Sequence, residues 1–172
     1  MEKIEVKYRE VSSDIVKKVK QEPGGEYISR CYQCGTCTAT CVVNPFKDDF
    51  NPRRIIRMAA LGVEKVLDSI EPWYCAVCYL CTERCPRDVK PAAVLMAIKN
   101  VAAKEGKVPA AFKNINENIA KIGRLFEIDD FTNFMREDMG LPPIEPIDQK
   151  EVEKLIAGTR FERIMKGEES EA

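Results

Sequence analysis

The sequence predicts a mainly α-helical fold, and three observations predict it. Its eight cysteines fall in two runs of identical spacing, Cys31, Cys34, Cys37, Cys41 and then Cys75, Cys78, Cys81, Cys85. The 33 residues between Cys41 and Cys75 carry much of their apolar content at helical intervals. Past the second run, apolar residues again recur every three or four positions, first through Val94, Leu95, Ile98, Val101 and Ala102, then through Phe112, Ile115, Ile119 and Ile122. The repeating unit is a cysteine loop followed by a helix, twice over, with further helix behind it.

Taken in order, residues 3–9 alternate through Ile4, Val6 and Tyr8 and read as a short strand. Ser12 or Ser13 then caps a helix bearing Ile15, Val16 and Val19, which Pro23, Gly24 and Gly25 end. After the first cysteine run, Asn51 and Pro52 open a helix with a capping side chain and a proline at its first turn. Ile55, Ile56, Ala59 and Val63 line one face of it, and Gly62 interrupts it without fixing its end. The second run closes on Pro86. Pro91 starts the next helix, which ends before Gly106, and a further one runs from Pro109 to near Gly123. Residues 151–166 carry Val152, Leu155, Ile156, Phe161 and Ile164 and read as a docking helix, whereas 168–172 are expected to be disordered. The expected organisation is an N-terminal arm (1–25), a cysteine-bearing module (26–106) and a helical extension with a partner-docking tail (107–172).

The cysteine spacing carries the chemistry. A cubane has four iron corners; three cysteines separated by two residues each let one tight loop reach three of them, and the fourth ligand comes from elsewhere. In two-cluster ferredoxins the last cysteine of each run serves the other cluster. That assigns Cys31, Cys34, Cys37 and Cys85 to one [4Fe-4S] cluster and Cys75, Cys78, Cys81 and Cys41 to a second. The crossing ties the two runs together, so metal binding is expected to be part of folding. The module is thus an α-helical ferredoxin, since small bacterial ferredoxins join their runs through short strands and turns.

Three other uses of cysteine compete and fit worse. Zinc sites draw on separated pairs, not evenly stepped triplets. Disulfides here would close only small loops, and residues 1–10 show no secretory signal. A dithiol redox enzyme needs one Cys-x-x-Cys pair, but each pair here continues into a third and fourth cysteine.

Composition removes further classes. The absence of histidine excludes Rieske ligation, mixed cysteine–histidine zinc fingers, histidine-ligated haem and any histidine-based triad. Without an apolar run long enough to cross a bilayer, the chain is expected to be soluble and cytoplasmic. Its formal net charge is -1; with eight thiolates and two oxidised cubane cores it becomes about −5, a poor match to nucleic acid. No Gly-x-Gly-x-x-Gly fingerprint or P-loop is present.

The stretch from Cys31 through Tyr32, Gln33, Cys34, Gly35, Thr36 and Cys37 to Cys41, the helix from Asn51, Pro52 and Arg53, and Trp73, Tyr74, Cys75 leading to Cys85 and Pro86 resemble the C-type iron–sulfur subunit of heterodisulfide reductase. The resemblance covers residues 26–105. It implies a small iron–sulfur subunit, without catalytic residues of its own, of a cytoplasmic oxidoreductase complex of methanogenesis. Electrons would pass from a flavin-containing A-type subunit to a catalytic B-type subunit, where the CoM-S-S-CoB heterodisulfide is reduced. A hydrogenase or formate dehydrogenase is a further candidate partner. The catalytic subunit of that family relies on adjacent cysteines, and this sequence has no Cys-Cys pair. Similar helical modules occur in succinate dehydrogenase, fumarate reductase and anaerobic glycerol-3-phosphate dehydrogenase. The alternatives are therefore the iron–sulfur subunit of such a complex or a free ferredoxin-like carrier.

One departure stands out. Cys41 precedes Val42, where proline is common and where the second run has Pro86. The Val42 N–H is therefore a candidate donor to a cluster sulfur, expected to raise the potential of the cluster that Cys41 serves, within a range of roughly −700 to +450 mV across families. Trp73, Tyr74, Tyr32 and Tyr79 are read as space-filling neighbours of the cysteines, and Gly35 as the residue that lets the loop approach closely. Thr36, Thr38 and Thr40 are read as satisfying local backbone. Arg53, Arg54, Arg57, Arg84, Arg87 and Lys90 gather near the cluster segments, with a solvated face as the default. Between residues 127 and 153, nine acidic residues face two basic ones, and Phe131, Phe134, Met135 and Met139 offer apolar anchors suited to a partner surface.

Overall fold

The computed structural model describes residues 11–166, with the side chain of Ile164 excepted. The strand expected over 3–9, the tail at 168–172 and the docking role of Ile164 lie outside the described residues. The chain divides into two units that meet at Lys107 and Val108. Among the described residues the first unit holds α1 (Ser13–Gln21), α2 (Thr36–Ala39), α3 (Pro52–Ala60), α4 (Lys65–Asp68), α5 (Leu80–Glu83) and α6 (Pro91–Lys104). The fold is mainly helical, and the described residues form no strand beyond one isolated antiparallel bridge, Val11 to Val63.

Each cysteine run sits in the same succession of backbone structures. A 3-10 turn leads in, Gly25–Arg30 before the first run and Glu71–Tyr74 before the second. The first cysteine's amide closes each turn, Cys31 N–H bonding the Ile28 carbonyl and Cys75 N–H the Pro72 carbonyl. The loop then passes through two left-handed residues, Gln33 and Gly35 or Val77 and Tyr79, before the single turn of α2 or α5. Behind each run stands a longer helix that opens on proline, α3 and α6. Thr38 Oγ1 accepts from the Arg53 amide of α3 (3.1 Å) and Thr82 Oγ1 from the Ala92 amide of α6 (3.4 Å), so the residue after each third cysteine is latched to the start of one of these helices.

The caps sit where the sequence places them. Ser12 Oγ accepts from the Asp14 amide at 3.2 Å and Asn51 Oδ1 from the Arg54 amide at 3.0 Å. Helix α3 stops at Ala60 because Gly62 adopts φ +73°, and a methyl there would lie 2.1 Å from the Ser12 carbonyl oxygen. Gly62 is thus a stop, and Val63 is buried beyond the helix, as the bridge partner of Val11.

Helix α6 is apolar nearly all round, and the unit is built about it. Val94, Leu95, Ala97, Ile98, Val101 and Ala102 are buried with Ile55, Ile56 and Ala59 of α3, Val66 and Leu67 of α4, and Phe50 and Ile28. Ile15 and Val19 of α1 enter the same core. The described part of the stretch 1–25 that the sequence sets apart as an arm therefore contributes core residues, because α3 and α4 leave one side of α6 for α1 to cover. Polar pairs pin α1 to the end of α6: buried Glu22 with Lys104, and Lys18 with Glu105 at 2.7 Å.

Burial pushes the Glu105 carboxyl up, but hydrogen bonds from Lys18 and Lys107 outweigh it and hold the group below the usual carboxylate range. A depressed folded-state value means stability present above the unfolded carboxylate range and lost as pH falls through the depressed value. Glu105→Gln is accordingly expected to flatten the acid limb of the melting-temperature profile while leaving its neutral-pH shape unchanged.

In the second unit α7 (Ala110–Ile122) packs on α9 (Gln149–Ile156), with α8 (Asp130–Asp138) and α10 (Arg160–Lys166) beside them in sequence. Gly123 ends α7 in the left-handed conformation, and Asp129 and Asp148 cap α8 and α9. Its described residues include one buried hydrophobic side chain, Val152. Phe126, Phe131, Phe134, Met139 and Leu155 are all more than 60% exposed.

Candidate metal centres

The two loops shape two cavities, and each draws cysteines from both runs. Cys31, Cys34, Cys37 and Cys85 line the first, about 350 Å³ including its open mouth. Cys75, Cys78, Cys81 and Cys41 line the second, about 320 Å³ on the same terms. These are the two sets into which the spacing sorts the cysteines. All eight are free thiols. Within each set the middle cysteine of the triplet is exposed (Cys34, Cys78) and the third is buried (Cys37, Cys81). Cys37 and Cys81 form one small buried cluster with Ala92, so the cavities lie side by side.

Cation–π contacts hold the crossing segments. Lys90, which follows Cys85, places its Nζ 4.3 Å from the ring centre of Tyr27, ahead of Cys31, and Arg30 sits 4.6 Å from the same centre. At the second cavity Lys47, which follows Cys41, lies 4.7 Å from the ring centre of Tyr74, next to Cys75. Arg54 ties α3 to the turn before Cys75 through Glu71 at 2.9 Å.

Polar contacts to sulfur are distributed unevenly. Gln33 Nε2 donates to Cys31 Sγ (3.2 Å), Thr36 Oγ1 lies 3.3 Å from Cys34 Sγ, and the Val89 amide donates to Cys85 Sγ (3.4 Å). All three serve the first cavity. Among the described residues the Val42 amide makes no bond to a cysteine sulfur. The amide that does is Val89, because Asp88 and Lys90 adopt φ +48° and +53° and turn it back onto Cys85. Thr36 departs from expectation by meeting a sulfur, Thr40 satisfies the local Thr36 carbonyl as expected, and Thr38 instead reaches the start of α3, at the Asn51 side chain and the Arg53 amide.

The residues present fit a four-iron core. Burial pushes the Cys37 thiol up, and burial followed by the charges of Cys75, Cys37, Cys78 and Cys41 pushes Cys81 up to about 11. Thiols so crowded and dry resist ionisation unless a cationic group binds among them. At Cys34, exposed and bonded to Thr36, the thiol is lowered instead. The backbone adds a second sign. Val77, a β-branched residue, sits at φ +51° and Tyr79 at +61°, conformations that cost on the order of 1–3 kcal/mol each and persist where their surroundings dictate them. Among the described residues no three Cys, Asp or Glu side chains close round a single ion. Four sulfurs instead line each cavity without closing on one point, an arrangement that suits the four corners of a cubane better than one zinc.

Residues 27–89 match the family described as a 4Fe-4S dicluster domain. Over 161 residues, 90% of this chain and 81% of the relative, the sequence is 33% identical to the second C-type iron-sulfur subunit of the CoB–CoM heterodisulfide reductase of Methanocaldococcus jannaschii. The chain belongs to the family of C-type iron–sulfur subunits of heterodisulfide reductase. It is also 36% identical over 149 residues, 83% of the chain and 80% of the relative, to the C2 subunit of the H(2)/formate:CoB-CoM heterodisulfide,ferredoxin reductase of Methanococcus maripaludis. A third relative, the C-type subunit of the Ferredoxin/F(420)H(2)-dependent CoB-CoM heterodisulfide reductase of Methanosarcina acetivorans, is 32% identical over 145 residues, 84% of the chain and 88% of that protein.

The likeness extends well past the cysteine module that carries the sequence resemblance, into the second unit. No helix among the described residues is long and apolar enough to cross a membrane. Spacing alone misses Gln33 and the Val89 amide. Gln33 is recoverable by laying one half on the other, where Val77 occupies its place 44 positions on. A backbone donor such as Val89 leaves no mark on side-chain chemistry.

Proposed function

We propose that this chain is the electron-relay subunit of a heterodisulfide reductase complex. Cys31, Cys34, Cys37 and Cys85 hold one [4Fe-4S] cluster and Cys75, Cys78, Cys81 and Cys41 the other. The observation that carries the reading is the crossed lining of two adjacent cavities by four cysteines each. When bound, the clusters supply one-electron storage and transfer. The chain's residues hold the thiolates, keep the two sites in contact through Cys37, Cys81 and Ala92, and pack the core behind them against water. The exposed cysteine of each set, Cys34 or Cys78, marks where its site meets a partner.

The donor is a flavin-containing A-type subunit, and the acceptor is a catalytic B-type subunit that reduces the CoM-S-S-CoB heterodisulfide; this chain transforms no substrate. It works in the reducing cytoplasm, where free thiolates persist. Loaded anaerobically, the full chain is expected to carry about eight irons and to be reduced by the flavin-containing subunit. It is expected to be reoxidised by the heterodisulfide only when the catalytic subunit is present. Zinc in place of iron, or no electron exchange with either partner, overturns the reading.

The extension at 107–172 docks on a partner subunit. Phe131, Phe134 and Met139 stand exposed among acidic residues, the mix of apolar anchors and polar rim that interfaces use. Truncation after Lys107, which removes these anchors with the whole second unit, is expected to abolish association with the purified flavin-containing and catalytic subunits while leaving the iron content unchanged. Association that survives truncation refutes the docking role.

A further inference from the structure

We infer that the chain makes its two clusters unequal: Gln33, Thr36 and the Val89 amide give the cluster held by Cys31, Cys34, Cys37 and Cys85 the higher reduction potential. The inference rests on the ligand sets proposed above. Reduction adds one electron to a group that four thiolates already leave negative. Donors to sulfur and nearby positive charge favour the added electron, and dry apolar walls oppose it.

The two halves can be compared position by position, because their cysteines stand 44 residues apart throughout. Gln33, which donates to Cys31 Sγ, has Val77 as its counterpart, and Thr36, which meets Cys34 Sγ, has Leu80. A ligating thiolate has no proton to give, so the Thr36 hydroxyl is the donor in that pair. The third donor, the Val89 amide on Cys85 Sγ, also serves the first cavity. Among the described residues no hydrogen bond reaches the sulfur of Cys41, Cys75, Cys78 or Cys81.

The walls differ in the same sense. Arg53 and Arg87 line the first cavity. Beyond its cysteines the second is walled by residues such as Val43, Phe50, Val77 and Leu95, with no charged side chain. Lys99 feels the charge of Cys75, which favours the second site, but it does not line that cavity, and burial pulls its own ammonium down. Three donors and two wall guanidinium groups, against the recessed Lys99 ammonium and the Lys47 ammonium held over Tyr74, neither of which lines the second cavity, decide the order. Since Cys37 and Cys81 share one buried contact, an electron entering at the second site comes to rest at the first.

Potentiometric titration of the anaerobically loaded full chain, followed by electron paramagnetic resonance and iron analysis, tests this. The wild type is expected to reduce in two separate waves. Gln33→Val is expected to lower the upper wave alone, and Val77→Gln, which places a donor at the matching position of the second loop, to raise the lower wave alone. Iron content stays full in both. Should Gln33→Val fail to load, Thr36→Val carries the same expectation. Coincident waves in a fully loaded wild type overturn the inference and leave the ligand sets standing, as does a Gln33→Val variant whose lower wave moves. A wild type short of two clusters counts against the ligand sets instead.

Discussion

Replacing Cys31 and Cys85 together by alanine is expected to leave about four irons per chain, bound by the other four cysteines. Both thiols line the first cavity, so the double change empties one site. Replacing Cys31 and Cys41, two cysteines of the same run, removes a ligand from each cavity and is expected to leave far less. Ligation run by run would give the reverse order, so iron analysis and the paramagnetic signal of the two double variants separate the arrangements. The folded state should follow the same logic. In the Cys31→Ala/Cys85→Ala chain, Cys41 still joins the first run to Cys75, Cys78 and Cys81, and one metal cross-link between the halves survives. The Cys31→Ala/Cys41→Ala chain loses both and is expected to melt well below it.

Cysteine spacing sorts the eight thiols into the same two sets that line the two cavities, and the proposed pairing of Cys41 with the second triplet follows from the rule that the last cysteine of each run serves the other cluster. Helix starts were equally plain, since Ser12, Asn51, Pro52 and Pro91 act through local backbone chemistry. What stayed hidden depends on residues far apart in the chain. The stop at Gly62 comes from a close approach to Ser12, and α1 belongs to the core because α6 has an uncovered side. The Val89 amide stayed hidden for a related reason. A free N–H beside a cysteine is available to a sulfur, but two left-handed residues flanking Val89 decided which amide turned inward.

Gly25→Ala is expected to destabilise the first unit by about 3 kcal/mol or more. Gly25 lies where the chain leaves α1 and enters the turn that delivers Cys31. A Cβ there would stand 1.7 Å from the Val19 carbonyl oxygen and 3.1 Å from Cβ of Ala97. The first neighbour is helix backbone and the second belongs to the middle of α6, so neither yields as the end of a flexible side chain would. Relief requires α1 to part from α6, which opens the core at Val19 and Ile28 and pulls on the Glu22–Lys104 pair. Gly106→Ala provides the comparison. It carries the strain of φ +71° but meets nothing within 4 Å, and is expected to cost about 1–2 kcal/mol. Chemical denaturation of the two loaded variants therefore weighs steric intrusion against backbone strain. Equal losses would mean that the junction of α1, the turn and α6 is looser than this packing requires, and that Cys31 is held by its cluster alone.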